Sequence, residues 1–145
     1  NLYLTEKALK LLLHVIDIWL PDFKYGNNDC GFRLSAVPKY FDVVTRNLKI
    51  VVEHGDIIIR HLVLPGHLEC CTKKVLYWIA NNLPKEKVLV NIMDQYRPCG
   101  KALEDEYINR RISAKEFREA MAIAKRVGLR RLDPRDRIRF ILVPY

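Results

Sequence analysis

The sequence predicts an α/β fold made of parallel βα units, on three observations. Short, almost continuously apolar runs at Val15–Leu20, Ile57–Leu64 and Val88–Met93 alternate with stretches of helical periodicity. A run that is apolar without alternation is a strand buried on both faces, as in a parallel sheet covered by helices. Each run also closes on turn-forming or polar residues: Pro21-Asp22-Phe23-Lys24, Pro65-Gly66 and Asp94-Gln95-Tyr96. Polar ligands of such sheets bind at the carboxyl ends of the strands.

The elements follow in order. Thr5 can cap a short helix over Glu6 to His14, with Glu6 in its first turn and Leu9, Leu12 and Leu13 on one side. The first strand follows at once, and Gly26-Asn27-Asn28 then turns the chain into a loop through Cys30-Gly31. Pro38 opens a helix to about Glu53, whose Val44, Leu48, Val51 and Val52 fall on one face, and Gly55 ends it. After the second strand, Pro65-Gly66 leads to a helix from about Cys71 to Asn81, with Val75, Leu76 and Ile79 inward. The third strand comes next. Ser113-Ala114-Lys115-Glu116 has the spacing of a capping box, which predicts a helix from Ala114 to Val127 with Gly128 behind it. Arg137 to Val143 alternates basic and apolar residues, as an exposed strand does.

At 145 residues and 50% apolar content, the chain is one domain at most, or part of a larger one. Its longest apolar stretch, Leu11 to Leu20, is broken by His14 and Asp17 and is too short to span a bilayer. With no signal-peptide pattern, the expectation is a soluble cytoplasmic protein without a membrane partner. Cys30, Cys70, Cys71 and Cys99 are too few and too irregular for a disulfide framework, and free thiols fit a reducing compartment. A metal site over His67-Leu68-Glu69-Cys70-Cys71 ranks below that reading, because structural zinc sites use better-separated ligand pairs. A thiol or zinc enzyme centred on Cys70 and Cys71 is accordingly the last of the functional readings.

The net charge is +8, and most of it lies in the tail, where 12 basic and 7 acidic residues fall between Lys101 and Tyr145. These basic residues form no continuous stripe with aromatics, which disfavours a nucleic-acid site relative to a solvated basic surface. A stand-alone basic α/β module binding nucleic acid or a protein nevertheless stands as the alternative function.

The strand ends carry the candidate chemistry. Asp22 and Lys24 are two residues apart at the end of an extended run, so they share one face. Read plainly, they are a surface ion pair of little energetic weight. Arg60 is harder to explain that way, since a cation inside an apolar run needs a partner. His61 and His67 are read as structural or exposed, and Tyr96 and Trp78 as packing residues ahead of ligand platforms.

Three segments also carry a family likeness: Leu20-Pro21-Asp22-Phe23-Lys24-Tyr25-Gly26, Arg60-His61-Leu62-Val63-Leu64-Pro65-Gly66-His67, and Asn91-Ile92-Met93-Asp94-Gln95-Tyr96-Arg97-Pro98. In order and at βα spacing, they resemble radical S-adenosylmethionine proteins, specifically pyruvate formate-lyase activating enzymes and their uncharacterised relatives. The resemblance covers most of Leu2 to Leu129. It implies the C-terminal half of a partial TIM-type (β/α)6 barrel over residues 1–129, with 130–145 as a basic C-terminal extension.

By that resemblance, Lys24 and Arg60 contact S-adenosylmethionine, and Asp22 helps hold a monovalent metal ion beside the cofactor carboxylate. Tyr96 stands where activating enzymes place a histidine near the adenine, and backbone groups of Ile92 and Met93 serve the adenine edge. In this family a reduced [4Fe–4S] cluster cleaves S-adenosylmethionine to methionine and a 5′-deoxyadenosyl radical, which abstracts hydrogen from a substrate. For activating enzymes that substrate is a glycine of a partner glycyl radical enzyme. The cluster ligands form CxxxCxxC, a spacing this sequence does not contain. The chain is therefore expected to be inactive alone, with its open sheet edges covered by a missing N-terminal half or a second copy.

Overall fold

The computed structural model describes residues 2–129, 131 and 132. Five α-helices and a two-stranded parallel sheet are present among them. Helix α1 runs Glu6–Leu12, and the Thr5 side chain accepts a hydrogen bond from the Ala8 amide as its cap. Among the described residues, the segment expected to be a full strand at Val15–Leu20 pairs only at Trp19, with Ile57, and a second parallel bridge joins Asp22, just beyond it, to Arg60. Val15, Ile18 and Leu20 are exposed. Pairing is displaced toward the chain's polar end, where Pro21 has no amide to donate but its carbonyl accepts from the Arg60 amide.

The expected loop through Cys30-Gly31 is instead helix α2, Asn28–Ser35. The Asn27 side chain caps it by accepting from the Cys30 amide, and Asp29 lies in its first turn. Helix α3, Tyr40–His54, starts two residues after Pro38 and has no local side-chain cap. The Asn28 carboxamide oxygen supplies one from α2, accepting from the amides of Phe41 and Asp42. Gly55 follows α3 in an extended conformation that any residue adopts, so it ends the helix without using glycine's left-handed freedom.

Strand β1 spans Ile57–Leu62 and strand β2 spans Val88–Met93, joined in register from Ile57 opposite Val88 to Leu62 opposite Met93. A parallel bridge from Val90 to Leu132 extends the array on the far side. No closed barrel forms among the described residues, so the expected half barrel reduces to an α/β layer with this short parallel array. The expected strand at Arg137–Val143 lies outside the described residues.

Between the strands, the helical chain begins earlier than the periodicity predicts. A π-turn at Leu68–Lys73 runs directly into α4, Lys74–Asn82. Val75, Leu76 and Ile79 are fully buried, as their spacing predicts. A 3-10 turn at Gly100–Leu103 precedes α5, Ala114–Arg126, whose capping box forms as expected between Ser113 and Glu116. Gly128 sits behind α5 at φ +79°, where a Cβ is disfavoured.

The two strands alternate in burial. Ile57, Ile59 and His61 of β1 and Val88, Val90 and Ile92 of β2 face the core with α3, α4 and α5. Ile58, Arg60 and Leu62 with Leu89, Asn91 and Met93 form a half-open face. No helix among the described residues is long and apolar enough to cross a membrane.

Glu116 ties the start of α5 to the loop after β1. Its carboxylate accepts from both terminal nitrogens of Arg110, from the Ser113 amide and from the Gly66 amide 2.9 Å away. Truncation by Glu116→Ala removes the capping box and these charge-assisted bonds together, with an expected loss of about 2 kcal/mol in a urea-denaturation midpoint. Glu116→Gln should recover part of it, because the cap geometry survives.

Candidate functional site at the strand ends

The half-open face changes character along the strands. Its early positions are apolar, with Leu20, Ile58 and Leu89, whereas its later ones carry Asp22, Lys24, Arg60 and Asn91. Parallel pairing places Asp22, Arg60 and Asn91 in one row across three adjacent segments. Period-two alternation adds Lys24 to the same face, while Phe23 and Tyr25 turn into the core. The structure therefore brings Asp22, Lys24 and Arg60 together, as the sequence leads one to expect.

Asp22 sits between the two cations. Its Oδ1 lies 2.9 Å from Arg60 Nη2 and its Oδ2 lies 3.6 Å from Lys24 Nζ. The Asp22 side chain is 15% exposed, against 33% for Lys24 and 42% for Arg60. Among the described residues Arg60 Nε is buried with no hydrogen-bond partner. One carboxylate faces two cations here, which leaves an excess of positive charge at the row. That is a site with spare capacity for an anionic group such as a carboxylate.

Met93 ends β2 opposite Leu62 on the same face. Tyr96 lies elsewhere: its hydroxyl donates to the Ile108 carbonyl at 3.0 Å, and burial pushes its pKa upward. It borders a cleft of about 320 Å³ at the strand ends, shared with Tyr25, Arg33, Leu64 and Arg97. Neither Lys24, Arg60, Asp22 nor Met93 lines this cleft. The cleft and the polar row are two neighbouring features of one rim rather than a single pocket.

Both histidines read as structural or exposed are buried. The His61 ring donates from Nδ1 to the Phe23 carbonyl and accepts at Nε2 from the Thr72 hydroxyl. It ties the edge segment, β1 and the π-turn together. Burial lowers its pKa to about 4, so it is neutral at physiological pH. His67 donates from Nδ1 to the Pro65 carbonyl and accepts at Nε2 from Arg33, which also pairs with Asp105 at 3.1 Å.

Sequence reasoning missed a third feature beneath this rim. Cys30 from α2 meets Cys70 and Cys71 from the π-turn, with all three sulfurs within 4.8 Å of one another. Burial raises the thiol pKa of both Cys70 and Cys71. No local spacing signals a contact between residues forty positions apart. The one hint was Asn27 before Cys30, since its side chain both caps α2 and donates to the Cys70 carbonyl at 3.0 Å.

Comparison with known proteins gives the fold a relative. The structure is similar to that of a domain of pyruvate-formate lyase-activating enzyme from Bacteroides vulgatus, with a TM-score of 0.65 and 16% identity over 89% of this chain and 73% of that one. In sequence, the chain is 46% identical over 129 residues to an uncharacterised protein of Methanocaldococcus jannaschii. That alignment takes in 89% of this chain and 37% of the longer protein, so the chain spans well under half of its relative's length. No family model matches the sequence.

Proposed function

We propose that this chain is the S-adenosylmethionine-binding part of a radical S-adenosylmethionine enzyme related to pyruvate formate-lyase activating enzymes. The observation that carries this reading is the Asp22–Lys24–Arg60 group at the strand ends, where two cations share one carboxylate. The methionine end of the cofactor bears a carboxylate and an ammonium. Arg60 and Lys24 donate to the carboxylate, and Asp22 balances the ammonium or a monovalent cation. The longer Asp22–Lys24 contact of 3.6 Å is the one such a cation displaces. Met93 and Tyr96 extend the same rim toward the adenine. The fold likeness to an activating-enzyme domain supports the assignment.

The residues present do not fit the family's [4Fe–4S] cluster. The sequence lacks CxxxCxxC, and three sulfurs within 4.8 Å are gathered for one ion rather than spread around several irons. In this reading the cluster ligands belong to another part of a longer cytoplasmic protein. Residues 1–129 form the C-terminal half of its barrel and 130–145 a basic extension, with an N-terminal half or a second copy covering the open sheet edges. Its hydrogen donor would be a glycyl radical enzyme or another protein substrate.

The rival reading as a basic binding module is weaker. Arg33, Arg46, Arg110 and Arg131 are each paired with a carboxylate rather than presented as an open stripe. Calorimetric titration separates the two. Arg60→Ala and Lys24→Ala should each weaken S-adenosylmethionine binding by about 10-fold to 100-fold, the range of a lost charge-assisted hydrogen bond. Oligonucleotide binding that falls steeply with salt and survives Asp22→Asn would instead favour the module.

A further inference from the structure

We propose that Cys30, Cys70 and Cys71 form a site for one thiophilic metal ion of the zinc class, bound through three sulfurs and separate from the strand-end site.

The first support is distance. A metal–sulfur bond of about 2.3 Å places sulfurs about 3.8 Å apart in a tetrahedral site and about 4.0 Å apart in a trigonal one. Cys70 Sγ and Cys71 Sγ are already 3.9 Å apart, and Cys30 Sγ lies within 4.8 Å of both. A closure of at most about an ångström completes the triangle. Cysteine sulfur is the ligand type that selects soft ions of this class.

The second support is that the surrounding backbone is built to hold this convergence. The π-turn at Leu68–Lys73 is wider than an α-helical turn, which narrows the angle between consecutive side chains and lets Cys70 and Cys71 aim their sulfurs the same way. Such turns recur at functional sites. Asn27 holds both halves at once, accepting from the Cys30 amide at 2.7 Å and donating to the Cys70 carbonyl at 3.0 Å. Gly26 lets the π-turn approach, since a Cβ there would stand 2.6 Å from the Cys70 carbonyl oxygen and 2.7 Å from that of Cys71.

The third support is coordination number. Cys30 and Cys71 are buried, whereas Cys70 is half-exposed. No His, Asp or Glu joins the group among the described residues. Three ligands with one side toward solvent leave a position for water or a small ligand.

The test is an anaerobic Co(II) titration of the reduced chain, followed by displacement with Zn(II). The expected result is a sulfur-to-cobalt charge-transfer band that saturates at one equivalent and disappears on adding zinc. Cys30→Ser, Cys70→Ser and Cys71→Ser should each weaken the band's midpoint by about 100-fold, and Cys99→Ser should leave it unchanged. Alkylation mapping of the wild-type chain needs no variant to fold: zinc should protect half-exposed Cys70 from iodoacetamide and leave exposed Cys99 reactive. Absence of the band, its survival in Cys30→Ser, or equal alkylation of Cys70 with and without zinc would overturn the proposal.

Discussion

Gly26→Ala should destabilise this protein by about 3 kcal/mol or more, although it adds one methyl group at a position with no unusual backbone angle. The added Cβ would lie 2.6 Å from the Cys70 carbonyl oxygen, 2.7 Å from that of Cys71 and 2.8 Å from Cys71 Cα. All three neighbours are backbone atoms of the π-turn, so no side chain can rotate away, and relief requires the turn to move off α2. Overpacking of this kind typically costs about 1–3 kcal/mol, and a wholly backbone contact belongs at the upper end. Moving the turn also breaks the bond from Asn27 to the Cys70 carbonyl and withdraws Thr72 from His61. The readout is a urea-denaturation midpoint, together with the rate at which Cys71 reacts with a thiol reagent. Both should change, and a wild-type midpoint with Cys71 still protected would contradict the packing described.

The second large effect is acid instability that originates at His61. His61 is fully enclosed, and its pKa falls from 6.5 to about 4 in the folded chain because burial penalises the imidazolium. Unfolded chains take up that proton near pH 6.5, whereas the folded one resists until about pH 4. The stabilisation is therefore complete above pH 6.5 and is lost as pH falls from 6.5 to about 4. Its full extent is about 3 kcal/mol. Glu116 acts lower on the scale: Arg110 holds its carboxyl below the usual range, so its contribution is present above its unfolded pKa and fades in stronger acid. Stability measured by urea denaturation should fall steeply between pH 6.5 and 4.5 in the wild type and much less in His61→Gln. Equal slopes in the two proteins would refute the assignment.

Features set by local patterns were legible in the sequence. Strand β2 lies at Val88–Met93 as read, because six apolar-rich residues between polar turns leave little room for another register. The caps at Thr5 and Ser113 formed because a hydroxyl three residues before an orphan amide satisfies it without help from elsewhere. The grouping of Asp22, Lys24 and Arg60 was also legible, since period two fixes which residues share a face and parallel order fixes which ends meet.

Features that depend on contacts across the chain were not. Helix α2 is eight residues long with a glycine at its fourth position, and it gains its place by exchanging caps with α3 and the π-turn. The first strand was over-read because apolar content at Val15–Leu20 does not ensure a partner. Among the described residues that segment pairs only with β1, and its outward residues are left exposed. The cysteine group combines both difficulties, joining a helix hidden in an apparent loop to a π-turn hidden in an apparent α-helix.

The central claim is that the polar row at the strand ends receives S-adenosylmethionine. An amide-resolved NMR titration of this chain with S-adenosylmethionine tests it most directly, because it detects weak binding and locates it. The account predicts saturable shifts confined to residues 22–25, 60–64 and 91–96, with a midpoint about 10-fold to 100-fold weaker in Arg60→Ala while the remaining spectrum is unchanged. Shifts absent at millimolar ligand, or centred away from these three segments, would contradict it.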